Sequence, residues 1–215
     1  MLESFEISAA VFDLGQYAGQ TSGACCWLCL AAGLAECNED VLGQALPAEH
    51  DALAVVAHLR SEGAIFRHAI YNDPVDIRYS ALGKLAARLR EYFCSGPTAV
   101  LLRPDVKDKI YAAFASLPVR GKQRTEQLYE SWVHKLASRE YADELVVLAV
   151  ALELSIRIVV IPYTPEFALE HWKIPTYGPT VAAQDASRTI YLGNNDVHFV
   201  YLKQKDALAQ ALPGH

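Results

Sequence analysis

Apolar positions follow two rhythms along the chain. From Cys25 to about Glu36 they form an almost unbroken run, which predicts a buried helix with Ser22 placed to cap its start. Helical patterns then recur at 48–62, 79–94 and 105–116. In the second of these Leu82, Leu85, Ala86 and Leu89 form a stripe of period near 3.6. Residues 126–137 and 142–154 read as two further helices. The rhythm then changes. Ile156-Arg157-Ile158-Val159-Val160-Ile161 is rich in β-branched residues and ends at Pro162, the pattern of a buried strand. Thr189 to Leu192 and His198 to Leu202 read as two more strands. Gly193-Asn194-Asn195-Asp196 joins them as a turn suited to a hairpin. Residues 5–12 form a short strand in this reading, and the glycine-rich stretch 13–24 a loop. Residues 162–188, with prolines at 162, 165, 175 and 179, read as irregular, and 203–215 as a loose tail. The expectation is an α+β protein: a single domain over residues 1–202, with a small central sheet flanked by helices and the first helix packed on it.

A chain of 215 residues suits one domain with a real core. With 52% hydrophobic and 20% charged residues it has the balance of a compact protein, not a disordered one. Net charge is −6, so the excess of Lys and Arg that marks a general nucleic-acid binder is absent. The longest apolar stretch, Leu145 to Ile161, is interrupted by Glu153 and Arg157. It falls short of the roughly 20 residues that span a bilayer. The first residues are acidic where a secretory signal is basic. No membrane association is expected. The expected location is cytoplasmic, including the cytoplasm of a host cell reached by a route the sequence does not encode.

The chain holds five cysteines, and four of them, Cys25, Cys26, Cys29 and Cys37, lie within 13 positions. Zinc is a poor fit, because no second Cys/His pair follows at a ligand spacing. A disulfide framework is equally out of place in a cytoplasmic chain. A cysteine nucleophile is a better use of the cluster. It needs a lowered thiolate pKa, which a helix N-terminus and a nearby imidazolium supply. It needs a base within hydrogen-bond reach. It also needs backbone N–H groups for the oxyanion, which a glycine-containing loop entering a helix provides. Gly23-Ala24-Cys25-Cys26-Trp27 lies where loop becomes helix, and His198 opens a strand just after a polar turn. The plainer alternative is that these cysteines are core, since cysteine is among the most buried residue types. The basic loop PVRGKQRT at 118–125 reads as solvated, Trp132 and Trp172 as packing residues, and His134 and His171 have no visible partner.

Three segments resemble the ovarian-tumour (OTU) family of cysteine deubiquitinases. The first is Gly23-Ala24-Cys25 with Trp27, Cys29 and Leu30. The second is Tyr141-Ala142-Asp143-Glu144-Leu145 with Leu148, Ala149 and Leu152, running into Ile156 to Ile161. The third is Ile190-Tyr191-Leu192 followed by His198-Phe199. Together they cover about 55 residues; the stretch 38–125 matches no family pattern. The resemblance implies an OTU-like fold and hydrolysis of the bond after the C-terminal glycine of ubiquitin or a ubiquitin-like modifier. It implies Cys25 as nucleophile, His198 as base, backbone N–H groups around Gly23 and Ala24 for the oxyanion, and no cofactor.

The chain departs from the family at two places. Ser22 stands where the family usually has Asp, three residues before the cysteine, and Val200 stands where an acid or amide often follows the histidine. Asp196 and Asp13 are therefore the candidates to orient His198, with Asn194 and Asn195 behind them. A papain-type register is the alternative within enzymes: Gln20 would donate to the oxyanion and Cys26 would attack. It lacks the asparagine that follows the histidine in that family, because none occurs after His198. A non-catalytic module that binds ubiquitin or another partner is the alternative outside enzymes.

Overall fold

The computed structural model describes residues 12–15, 25–37, 40–41, 43, 81–116, 125–138, 142–162, 176–178, 189–194 and 199–204. The expected helix at 48–62 lies outside these residues, as does all but the last position of the expected strand at 5–12.

The architecture is α+β. Among the described residues five helices, α1 Cys25–Cys37, α2 Ala81–Cys94, α3 Pro104–Ser116, α4 Glu126–Ser138 and α5 Glu144–Glu153, accompany a five-stranded sheet. The strands are β1 Phe12–Gly15, β2 Arg157–Pro162, β3 Thr176–Tyr177, β4 Thr189–Asn194 and β5 Phe199–Gln204. Their order across the sheet is β1-β5-β4-β2-β3. Only β2 and β4 run parallel; the other neighbours are antiparallel.

Helix α1 is the centre of the molecule. Every position from Cys25 to Ala35 is buried, as expected of a helix apolar on all faces. One side lies on β4 and β5 and another on α2. Gly33 sets the approach to the sheet: a Cβ there would come within 2.5 Å of Cγ2 of Ile190 in β4. Against the other side lie Leu85, Ala86, Leu89 and Phe93 of α2, with the Trp27 and Phe93 rings 6.1 Å apart. Arg90 Nε of α2 donates to Leu136 O of α4 at 2.5 Å. Tyr129 of α4 donates its hydroxyl to Leu101 O in the 3-10 turn Val100–Leu102 at 2.8 Å. Glu153 at the end of α5 accepts from Tyr92 of α2 and from Arg103, so one carboxylate joins three elements.

Four segments differ from expectation. Phe12–Gly15 is strand rather than the start of a loop, because β5 needs a partner for its outer backbone groups and pairs Gly15 with Tyr201 and Phe12 with Gln204. Gly193 and Asn194 continue β4, paired with Val200 and Phe199, so these two belong to the strand rather than to the expected turn, and Asn195 and Asp196 lie outside the described residues. β5 reaches Gln204, which takes the first two residues of the expected tail into the sheet. Within the expected irregular stretch, Thr176–Tyr177 pairs with Ile158 and Val159. There Gly178 has φ +93, and a Cβ on it would fall 1.9 Å from Ile156 O, so only glycine lets the chain pass so close.

Candidate functional site

The first residues of α1 include both candidate nucleophiles. Cys25 and Cys26 occupy the first two positions of the helix. Four N–H groups at such a terminus lack intrahelical acceptors, and the helix dipole makes the place attractive to negative charge. Cys25, Cys26, Cys29 and Cys94 are all free, buried thiols. Burial pushes the Cys26 thiol well above its ordinary value of 9.0, and the neighbouring Cys29 and Cys25 and the Asp143 carboxylate push it the same way. Burial, then Cys25, raises Cys29 likewise. Both thiols are therefore held protonated, which is the state of a core cysteine and not of a nucleophile.

Helix α5 begins beside this terminus. Asp143, whose charge Cys26 feels, caps α5 by accepting from Leu145 N at 3.0 Å. An Asp placed just before an apolar helix is a strong N-cap, and the sequence pattern of Asp143 before Leu145 is the signal for it. The next residue, Glu144, reaches the sheet. Its Oε2 accepts from the Tyr177 hydroxyl at 2.7 Å and its Oε1 from Asn194 Nδ2 at 3.5 Å. Burial, then this bond to Glu144, raises the Tyr177 phenol well above its ordinary value of 10.0.

Asn194 ends β4 and pairs with Phe199, the first residue of β5. Cys26 feels the charge of Asp143, and the next residue, Glu144, accepts from Asn194, so the start of α1, the start of α5 and the end of β4 lie near one another.

Of the sequence candidates, Cys25 and Cys26 are at this meeting point. Asn194 is there too, but its amide is engaged by Glu144. His198, Asp196, Asn195, Gly23, Ala24 and Gln20 lie outside the described residues. Chain continuity puts His198 next to Phe199. Asp13 lies in β1 opposite Lys203, four strand positions or roughly 13 Å from Phe199 along β5. Asp143 and Glu144 entered the sequence reading as part of the second OTU-like segment, which opens a helix, and with no role in the site. The bonds that give Glu144 its place link residues 33 and 50 positions apart, which no local pattern marks.

Among the described residues no group of three or more His, Cys, Asp or Glu side chains could hold a metal ion. Among them too, no helix is long and apolar enough to cross a membrane. No family model matches the chain, and no curated protein matches it.

Proposed function

We propose that the chain is an OTU-like cysteine protease that hydrolyses the bond after the C-terminal glycine of ubiquitin or a ubiquitin-like modifier, acting in the cytoplasm and without a cofactor. The observation that supports this reading is the nearness of the start of α1, through Cys26 and Asp143, to Asn194, which pairs with Phe199, the neighbour of His198 in the chain. In this reading Cys25 attacks the carbonyl, and His198 takes the thiol proton and returns it to the leaving amine. The backbone of Gly23 and Ala24 and the unpaired N–H groups of the helix start stabilise the oxyanion. A substrate tail ending in glycine suits such a site, since a side chain would obstruct close approach to the nucleophile. The net charge of −6 favours the basic tail of ubiquitin.

Cys25 is preferred to Cys26 because Gly23, Trp27, Cys29 and Leu30 fall in the OTU-like register with it. Asp196 is preferred to Asp13 as the residue orienting His198, because it is two residues from it in the chain, while Asp13 lies in β1 opposite Lys203. The test is reaction with a ubiquitin carrying a C-terminal electrophile, followed by mapping of the adduct. The expected adduct is on Cys25. Cys25→Ala abolishes cleavage of a fluorogenic ubiquitin substrate, and Cys26→Ala retains a substantial fraction. The reverse pattern moves the nucleophile to the papain-type register, and no adduct on either residue overturns the mechanism.

Burial favours a second reading. Cys25 is 2% exposed, as a residue of a non-catalytic OTU-like module that binds ubiquitin through its surface would be. Tight ubiquitin binding without turnover, unchanged by Cys25→Ala, identifies that case.

A further inference from the structure

We infer that Cys26 and Cys29 form a reversible disulfide across the first turn of α1, a redox-sensitive bond that switches the proposed hydrolase off by reshaping the start of the helix. The regulatory half of the inference rests on the function proposed above; the bond itself does not.

Cys26-Trp27-Leu28-Cys29 has the Cys-x-x-Cys spacing, and it falls in the opening turn of a helix, a setting in which such pairs alternate between dithiol and disulfide. Both cysteines are free and fully buried. Residues three apart are neighbours on a helix surface. Helix radius and rise put their Cα atoms about 5 Å apart, inside the range of about 4.4–6.8 Å that a disulfide spans. The nearness is also felt as charge. After burial, Cys29 is the first influence on the Cys26 thiol, ahead of Cys25 and Asp143. Tightening the turn toward 3-10 winding eclipses side chains three apart and so brings this pair together. Cys26 is the second residue of α1, where the N–H has no intrahelical acceptor to lose. Cys25 lies four residues from Cys29, and the same tightening carries it away.

The oxidant is a small disulfide of the glutathione class. One cysteine gives up its proton and attacks a sulfur of the oxidant, whose S–S bond breaks. Half of the oxidant leaves as a thiolate and takes up that proton. The second cysteine attacks the mixed disulfide in the same way and displaces the other half. The pair has then lost two electrons and two protons, and the oxidant has become two thiols. Burial holds both cysteines protonated, so the exchange is slow and proceeds through opening of the helix end. Its product suits the position, because a disulfide carries neither charge nor hydrogen-bond donor into the core. Winding the first turn tighter redirects its free N–H groups, which the proposed mechanism uses for the oxyanion, and displaces the adjoining Cys25.

The experiment equilibrates the full chain in mixtures of reduced and oxidised glutathione, alkylates the remaining thiols and maps the linkages by peptide mass. Expected in the oxidising mixture is a Cys26–Cys29 bond that retains no glutathione and that a dithiol reductant reopens. The second measurement is cleavage of a fluorogenic ubiquitin substrate. Closing the bond is expected to lower kcat at least about tenfold, and reduction to restore it to within about twofold. Cys29→Ala, which leaves both candidate nucleophiles in place, is expected to close no bond and to keep its kcat in the oxidising mixture within about threefold. Failure to close an internal bond, a bond from Cys25 to either neighbour, or glutathione retained on Cys25 overturns the inference. So does an active chain whose kcat is unmoved by closing the bond, or a Cys29→Ala variant that loses as much as the parent. A chain that closes and reopens the bond, yet neither labels nor cleaves when reduced, sinks the proposed activity and leaves the bond standing.

Discussion

Trp27 puts its ring wholly inside the core, against Phe93, and its Nε1–H finds no acceptor among the described residues. An unmet buried donor costs about 1–3 kcal/mol, so here packing outweighs polar satisfaction. Trp27→Phe removes the unmet donor along with part of the ring area. Its expected change in unfolding free energy, from urea titration, is within about 1 kcal/mol of zero. Trp27→Ala is expected to cost about 3–5 kcal/mol. A Phe variant as damaging as the Ala variant would mean that the indole nitrogen has a partner after all. Residue identities near Cys25 were legible in the sequence to the extent that chemistry is local. The cysteine pair stands where a glycine-rich stretch gives way to an apolar run, whereas Asp143, read as part of a helix at 142–154, is in fact its cap. The raised Cys26 thiol was not legible, because burial by α2 and the sheet comes from distant residues.

At the scale of elements, α1 through α5 follow the apolar periodicity closely, since α1 and α5 are continuous apolar runs and α2 is a clean stripe. The strands were harder. β1 and β3 are short and owe their existence to a partner strand, not to their own pattern. How closely helix and sheet approach was not legible either, and Gly33 decides it. Gly33→Ala gains up to about 1 kcal/mol of helix propensity. It also drives a methyl into Ile190, since Cγ2, Cγ1 and Cδ1 lie 2.5, 3.0 and 3.1 Å from the added Cβ. Overpacking of this kind costs about 1–3 kcal/mol, so a net loss is expected. The pair Gly33→Ala with Ile190→Ala is expected to be less destabilised than the two single losses added together, by at least about 1 kcal/mol. Strict additivity in a double-mutant cycle would show that α1 does not approach the sheet through this pair.

For the whole molecule, the α+β layout followed from where the periodicity changes. The order β1-β5-β4-β2-β3 did not, because a parallel β2–β4 pair is fixed by the long crossover between them and not by either strand. Closing the helices over this sheet buries titratable groups in their neutral forms, and this sets how stability responds to alkali. Burial pushes the Cys94 thiol from 9.0 to about 12, against the pull of Arg90. Burial and the bond to Glu153 push Tyr92 from 10.0 to about 12, against the pull of Arg103. Tyr129 and Tyr177 are raised as well, and so are Cys26 and Cys29. Each is a group whose folded pKa exceeds its unfolded one. The unfolded chain sheds these protons first, so the stability they confer is whole below about pH 9 and is lost as pH climbs toward 12. Urea midpoints measured under reducing conditions are expected to hold steady from about pH 7 to 8.5 and then fall continuously. Tyrosinate absorbance is expected to appear together with unfolding rather than ahead of it. A midpoint that stays flat to about pH 11, or tyrosines that ionise in the folded chain near pH 10, would mean that these side chains are in contact with water and that the helical layer is open where the structure closes it.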